Sequence, residues 1–187
     1  MKYYKLLYDY EHDEDYIFCN IGMIGDMNRY ITSRGKLIEN WKEVTFVYNS
    51  QEGDVLTDYM ANIYVWFIVS DKFRYETERL ISDVVQYLSV KILNSSNKTE
   101  NHSYQLANIL DVIDAMDFEN SKYDIFEVKD QRVLSVRKYA LKKSKVQGHH
   151  IFRLKNDTIP IFVSEEIKTI VETNNLLGFS FWKVLVS

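Results

Sequence analysis

The sequence has few of the residues that cross-link or break a chain: one cysteine, one proline and six glycines among 187 residues. A single cysteine, Cys19, excludes an internal disulfide and is typical of a protein in a reducing compartment. The scarcity of proline and glycine argues against long flexible linkers and disordered tails. We therefore expect a single domain over residues 1–187.

Long hydrophobic runs are also missing. The longest run, residues 63–69, is far shorter than the roughly 20 apolar residues that a membrane-spanning helix needs. Residues 1–5 lack the apolar run of a secretory signal peptide. These absences predict a cytoplasmic protein with no membrane partner.

Aromatic residues, by contrast, are abundant, with 14 tyrosines and 10 phenylalanines. This composition favours strands over helices. The predicted fold class is α+β and mostly β, with twisted antiparallel or mixed sheets and a few docked helices. Strands are predicted at residues 2–8, 16–19, 43–48, 63–69, 84–93, 123–128, 132–136, 151–154 and 159–163.

Two helices are predicted where a serine and an acidic residue follow a strand. Ser70 precedes a helical period over residues 71–82, and Ser164 precedes a second one over 165–173. A serine hydroxyl can accept a hydrogen bond from an unpaired amide at a helix N-terminus. The pattern of residues 104–117 fits either a helix or a long strand, and we favour the strand. The basic residues 141–146 are interpreted as an edge strand or a connector.

An acidic segment after the first strand is the predicted partner-binding surface. Such a segment would attract a basic partner and speed its association, although a solvated surface loop would have the same composition. The overall net charge is −4, with residues 1–127 net acidic and residues 128–187 net basic. An acidic surface argues against direct binding of nucleic acid. The candidate binding residues are Asp9, Glu11, Asp13, Glu14 and Asp15.

Catalytic and metal-binding interpretations are weaker. Asp111, Asp114 and Asp117 could hold a divalent cation and serve a small hydrolase or nuclease, but neither helical nor strand geometry places all three on one face. A structural role is therefore favoured for them. His149 and His150 would point to opposite faces of a strand, and no further zinc ligand stands at a suitable spacing.

Two further features have competing interpretations. The basic run at residues 137–145 could bind nucleic acid, with Tyr139 stacking on a base. Protection of an exposed sheet edge by lysines is the simpler explanation. Cys19 could be a nucleophile only if a histidine and an acid lay nearby, and a buried structural cysteine is the simpler interpretation.

Three blocks of the sequence resemble the bacterial polymorphic-toxin immunity proteins of immunity family eleven. The first block is residues 68–73, IVSDKF. The second is residues 108–117, NILDVIDAMD, followed by Glu119, Ser121 and Tyr123. The third joins residues 151–154, IFRL, to 161–168, IFVSEEIK, and 177–181, LGFSF. The resemblance covers about residues 40–185, so residues 1–40 lie outside its clear part.

The resemblance implies a mostly β protein, encoded beside a toxin gene, that binds its cognate toxin and neutralises it by direct contact. It brings no catalytic residues, cofactor or metal, so we expect a binding protein and not an enzyme. The alternatives are the metal-dependent hydrolase of the three aspartates and an interaction module without a toxin partner.

Overall fold

The structure is a computed structural model that describes residues 1–11, 15–21, 28–128 and 131–187. Its helices are α1 (Asp71–Ile81), α2 (Lys143–Val146) and α3 (Glu165–Thr173), and a 3-10 turn covers Ile31–Ser33. The predicted class, α+β and mostly β, is confirmed. No helix within these described ranges is long and apolar enough to cross a membrane. The strands are β1 (Tyr3–Tyr8), β2 (Phe18–Ile21), β3 (Val44–Tyr48), β4 (Tyr59–Asn62), β5 (Ile68–Ser70), β6 (Val85–Asn94), β7 (Glu100–Ile109), β8 (Val112–Ile113), β9 (Lys122–Val128), β10 (Gln131–Lys138), β11 (Ala140–Leu141), β12 (Ile151–Leu154), β13 (Asp157–Ser164) and β14 (Phe179–Val186).

Six strands close into a barrel in the order β2-β3-β6-β7-β5-β4. The pairs β2–β4 and β3–β6 are parallel and the other pairs are antiparallel, so the barrel is mixed. Alternate side chains of each strand point inward, because successive residues of a strand face opposite sides. Buried apolar side chains fill the barrel, among them Cys19, Phe46, Trp66, Ile92 and Leu106.

The second large sheet has the order β11-β14-β1-β13-β12-β8. Strand β1 lies between two distant parts of the chain, with Lys5 opposite Phe162 of β13 on one side and Trp182 of β14 on the other. One face of this sheet packs against α1, α3 and the outside of the barrel. The other face, which carries Tyr3 and Phe162, packs against the hairpin of β9 and β10.

Both predicted serine caps are confirmed. The Ser70 hydroxyl accepts a hydrogen bond from the amide of Phe73 at 3.1 Å, and the Ser164 hydroxyl accepts one from Ile167 at 3.4 Å. Each of the two helices buries an apolar stripe, and both stripes belong to the core cluster on one face of the large sheet.

The predicted continuous strand at residues 63–69 is wrong. Strand β4 ends at Asn62 and β5 begins only at Ile68. Between them the chain turns, with Val65 at a positive φ of 55° and with the side chains of Ile63 and Val65 exposed. The Asn62 side chain causes this break, because it hydrogen bonds backbone groups that a strand would direct to a neighbouring strand.

The strand predicted over residues 104–117 is confirmed in type but not in extent. Strand β7 runs from Glu100 to Ile109 in the barrel, whereas β8 pairs with β12 in the other sheet. Residues 141–146 divide between the edge strand β11 and the short helix α2. His149 and His150 precede β12, which covers Ile151–Leu154 as predicted.

Candidate binding cleft

A cleft of about 770 Å³ opens between the barrel and the hairpin of β9 and β10. Its floor includes residues of β1 and Tyr59 of the barrel strand β4, and one wall is the turn at residues 63–66. Residues 133–136 of β10 and residues 157 and 159–161 of β13 also line the cleft. The cleft therefore exists only because the barrel, the large sheet and the hairpin meet.

Large apolar side chains stand exposed around the cleft. Val65 is 73% exposed and Ile159 is 69% exposed, and Tyr10, Ile63 and Val133 are each more than two-fifths exposed. Isolated exposed apolar residues are ordinary, but a group of them around one concavity is typical of an interaction site.

The turn at residues 63–66, which the Asn62 side chain holds, forms the barrel side of the cleft. Trp66, at the end of the turn, is buried in the barrel, and its indole N–H donates to the carbonyl oxygen of Arg29 at 2.7 Å. That hydrogen bond ties the chain around Arg29 to the mouth of the cleft. The Arg29 guanidinium in turn lies 4.7 Å from the ring centre of Tyr30.

Arg153 is the most unusual residue of the cleft, because it is a cation that is only 4% exposed. Its Nη1 donates to the carbonyl oxygens of Thr158 and Ile159 at 2.7 and 2.5 Å, whereas its Nε has no hydrogen-bond partner in the part of the chain that the structure describes. Burial lowers the pKa of Arg153 to about 10, and the nearby Tyr59 and Asp157 act in the opposite direction. Arg153 therefore keeps its positive charge at neutral pH.

The acid nearest to this arginine is already engaged. Asp157 accepts a hydrogen bond from the Tyr139 hydroxyl at 2.6 Å and another from the amide of Ile159 at 3.3 Å. Burial raises the pKa of Tyr139, so its hydroxyl stays a donor. The ammonium of Lys5 lies 5.4 Å from the ring centre of Tyr139. Positive charge thus dominates the described lining of the cleft.

The predicted acidic segment begins at the edge of this cleft. Its neighbour Tyr10 lines the cleft, and the amide of Asp9 donates to the carbonyl oxygen of Gly178 at 3.1 Å. Glu11 and Asp15 are exposed and Asp9 is half-buried. Asp13 and Glu14 lie outside the described residues. A role of this segment in binding stays a prediction.

The structure does not bring together the three aspartates of the hydrolase hypothesis. Asp111 Oδ2 lies 2.6 Å from His149 Nδ1, and Asp114 is exposed. Asp117 accepts hydrogen bonds from Ser187 and Asn120. Among residues 1–11, 15–21, 28–128 and 131–187, no three histidine, cysteine or acidic side chains form a potential metal site. The favoured structural role agrees with these contacts.

The remaining candidates also have structural explanations. The two adjacent histidines have different partners. His149 contacts Asp111, whereas His150 Nδ1 lies 3.0 Å from the Ser164 hydroxyl. Tyr139 is buried, so the hypothesis that its ring stacks on a nucleic-acid base is wrong. Cys19 lies in the barrel core, where burial raises the pKa of its thiol to about 12.

Sequence reasoning missed the cleft and its buried arginine. One signal was present, since Arg153 stands between Phe152 and Leu154 in a strand whose four residues are all buried. A cation within an apolar strand usually needs a partner or a function. The other walls of the cleft come from remote segments that no local pattern connects.

Exposed apolar and aromatic side chains around a concave, positively charged cleft are typical of a protein that binds another protein. The sequence matches the immunity protein family (Imm11) over residues 8–186, and the chain belongs to that family. The predicted family is thereby confirmed, and the match also includes most of residues 1–40, which the three sequence blocks left out. No curated protein sequence matches the chain significantly. Family membership makes this an immunity protein and implies a toxin partner in general.

Proposed function

We propose that this immunity protein neutralises one cognate toxin by binding it directly, without catalysis, in the cytoplasm. Family membership supports the immunity role. The observation that carries the proposed mode of action is the group of exposed apolar side chains around the cleft, among them Val65, Val133 and Ile159. These side chains can supply the apolar centre of a protein–protein interface.

The acidic segment of Asp9, Glu11, Asp13, Glu14 and Asp15 supplies the second part of the proposed interface. It adjoins the cleft through Tyr10, so one toxin domain could contact both surfaces. Acidic side chains at the border of an interface mainly accelerate association with a basic partner and orient it. Apolar side chains around the cleft would then determine how long the complex lasts.

The proposal is tested with the toxin domain encoded beside this gene. Cells that express the toxin alone should stop growing, and cells that also express this protein should grow. The two purified proteins should elute together from a sizing column as a complex of fixed stoichiometry.

An immunity protein from an unrelated toxin pair is the control and should neither rescue growth nor form the complex. If the chain fails to rescue growth and no complex forms with the adjacent toxin, the proposed function is wrong. Rescue without a complex would contradict the direct-contact mechanism.

A further inference from the structure

We propose that the cleft receives an acidic segment of the toxin, whose carboxylate forms an ion pair with Arg153. This inference rests on the proposed function and specifies its chemistry. The acidic segment of the immunity protein would contact basic parts of the toxin, and the cleft would select one carboxylate.

The first argument is the incomplete set of partners around Arg153. Burying a cation is costly unless charges and hydrogen bonds compensate for the lost water. Among the described residues, two backbone carbonyl oxygens, those of Thr158 and Ile159, accept hydrogen bonds from it, and Nε has no partner there. Within the described ranges Arg153 forms no ion pair. A toxin carboxylate that enters the cleft would supply the compensating negative charge that the described residues do not.

The second argument is the charge of the cleft. Its described lining includes three cations, Lys5, Arg29 and Arg153, and one acidic residue, Asp157. Asp157 already accepts hydrogen bonds from Tyr139 and from the amide of Ile159, and its charge acts on Arg153 without forming an ion pair with it. This positive cleft lies in a chain of net charge −4. A concave site with low-dielectric walls concentrates such a field and attracts anions.

The third argument is the fit of a peptide compared with other anions. The cleft volume of about 770 Å³ lies within the range of about 300–1,000 Å³ that holds a drug-sized group, which suits a few side chains. The exposed Ile63, Val65 and Ile159 would contact apolar residues flanking the carboxylate. A nucleic acid would gain little from these apolar contacts, and the exposed acids Glu11 and Asp15 would repel its phosphates.

The guanidinium also has suitable geometry for this role. A guanidinium presents a planar fork of N–H donors that matches a carboxylate with two parallel hydrogen bonds. Because Nη1 is held by two carbonyl oxygens, the orientation of the fork is set before the partner arrives. Pre-orientation reduces the entropy that binding would otherwise cost.

The test measures the affinity of the adjacent toxin domain for the wild-type protein and for four variants by calorimetry. R153M removes the charge and R153K keeps the charge but removes the fork. K5E reverses a second charge of the cleft and tests the inference even if R153M does not fold. R79M is the matched control, because Arg79 is an exposed arginine on α1 that does not line the cleft.

We expect R153M and K5E each to weaken toxin binding at least about tenfold, R153K to weaken it less, and R79M to leave it unchanged. Changing the acidic residues of the toxin singly to amides should identify one whose loss is not additive with R153M. Thermal unfolding of each variant verifies that it is folded.

The outcomes separate the two proposals. No binding by the wild-type protein would refute the proposed function. Wild-type binding that K5E and a folded R153M leave unchanged would overturn the inference and leave the function standing. Equally, the inference is overturned if a DNA oligonucleotide binds in a manner that depends on Arg153 while toxin affinity does not.

Discussion

The side chain of Asn62 hydrogen bonds both polar backbone groups of Trp66. Its Oδ1 accepts from the Trp66 amide at 3.0 Å, and its Nδ2 donates to the Trp66 carbonyl oxygen at 2.8 Å. Asn62 also accepts from the amide of Tyr64 and donates to the carbonyl oxygen of Met60. One buried amide group therefore ends strand β4 and shapes the barrel side of the cleft.

Removing this amide should destabilise the protein. N62A removes the acceptor of the Trp66 and Tyr64 amides and one of the two donors to the Trp66 carbonyl oxygen, which keeps the amide of Ile68. We therefore expect the free energy of unfolding to fall by about 3 kcal/mol. Urea denaturation followed by tryptophan fluorescence measures the change. The matched control is N97A, because Asn97 accepts a single hydrogen bond, from Thr99 in an exposed turn, and we expect a loss below about 1 kcal/mol. Equal losses for the two variants would contradict this account of the turn.

The exposed apolar side chains around the cleft should contribute to toxin affinity and not to the stability of the fold. We expect the double variant V133S/I159S to weaken toxin binding at least about tenfold, since apolar anchors dominate interface energies. Its thermal midpoint should change little, because both side chains are exposed. The control is L37S, because Leu37 is 65% exposed and does not line the cleft. A double variant that binds as tightly as L37S would remove the cleft from the interface.

Acid should weaken the fold partly through Asp117. Hydrogen bonds from Ser187 and Asn120 lower the pKa of Asp117 from 3.8 to about 2. The folded state therefore favours the ionised form, so its contribution to stability is present above about pH 4 and is lost as the pH falls toward 2. The stability difference between the wild-type protein and D117N should shrink over that interval.

Urea denaturation at a series of pH values measures this difference. The control is D114N, because Asp114 is exposed in the same segment, and this variant should follow the wild-type protein throughout. A constant difference between the wild-type protein and D117N from pH 6 to pH 2 would contradict the assignment.

The thiol of Cys19 should be unreactive in the folded protein. Burial in the barrel raises the pKa of its thiol to about 12, so little thiolate exists at pH 8 and reagents cannot reach it. We expect a disulfide reagent to modify the native protein at least about a hundredfold more slowly than the protein unfolded in guanidinium. Comparable rates in the two states would contradict the buried position of Cys19.

The amino-acid sequence by itself determined the features that depend on neighbouring residues. The helix starts at Ser70 and Ser164 follow from capping, and the strands β12 and β13 follow from short apolar runs. The aromatic composition predicted a mostly β fold, and short blocks of residues indicated the immunity family. These signals are local, so they can be interpreted without knowing how distant segments pair.

Tertiary structure alone decided where the candidate site lies. Strand β1 pairs with β13 and β14, more than 150 residues away, and this pairing places Lys5 and Arg153 in one cleft. The apolar composition of residues 63–69 favours a continuous strand. The buried hydrogen bonds of Asn62 prevent it and leave Ile63 and Val65 exposed. Pairing over such distances depends on the packing of the whole chain, which no short pattern in the sequence encodes.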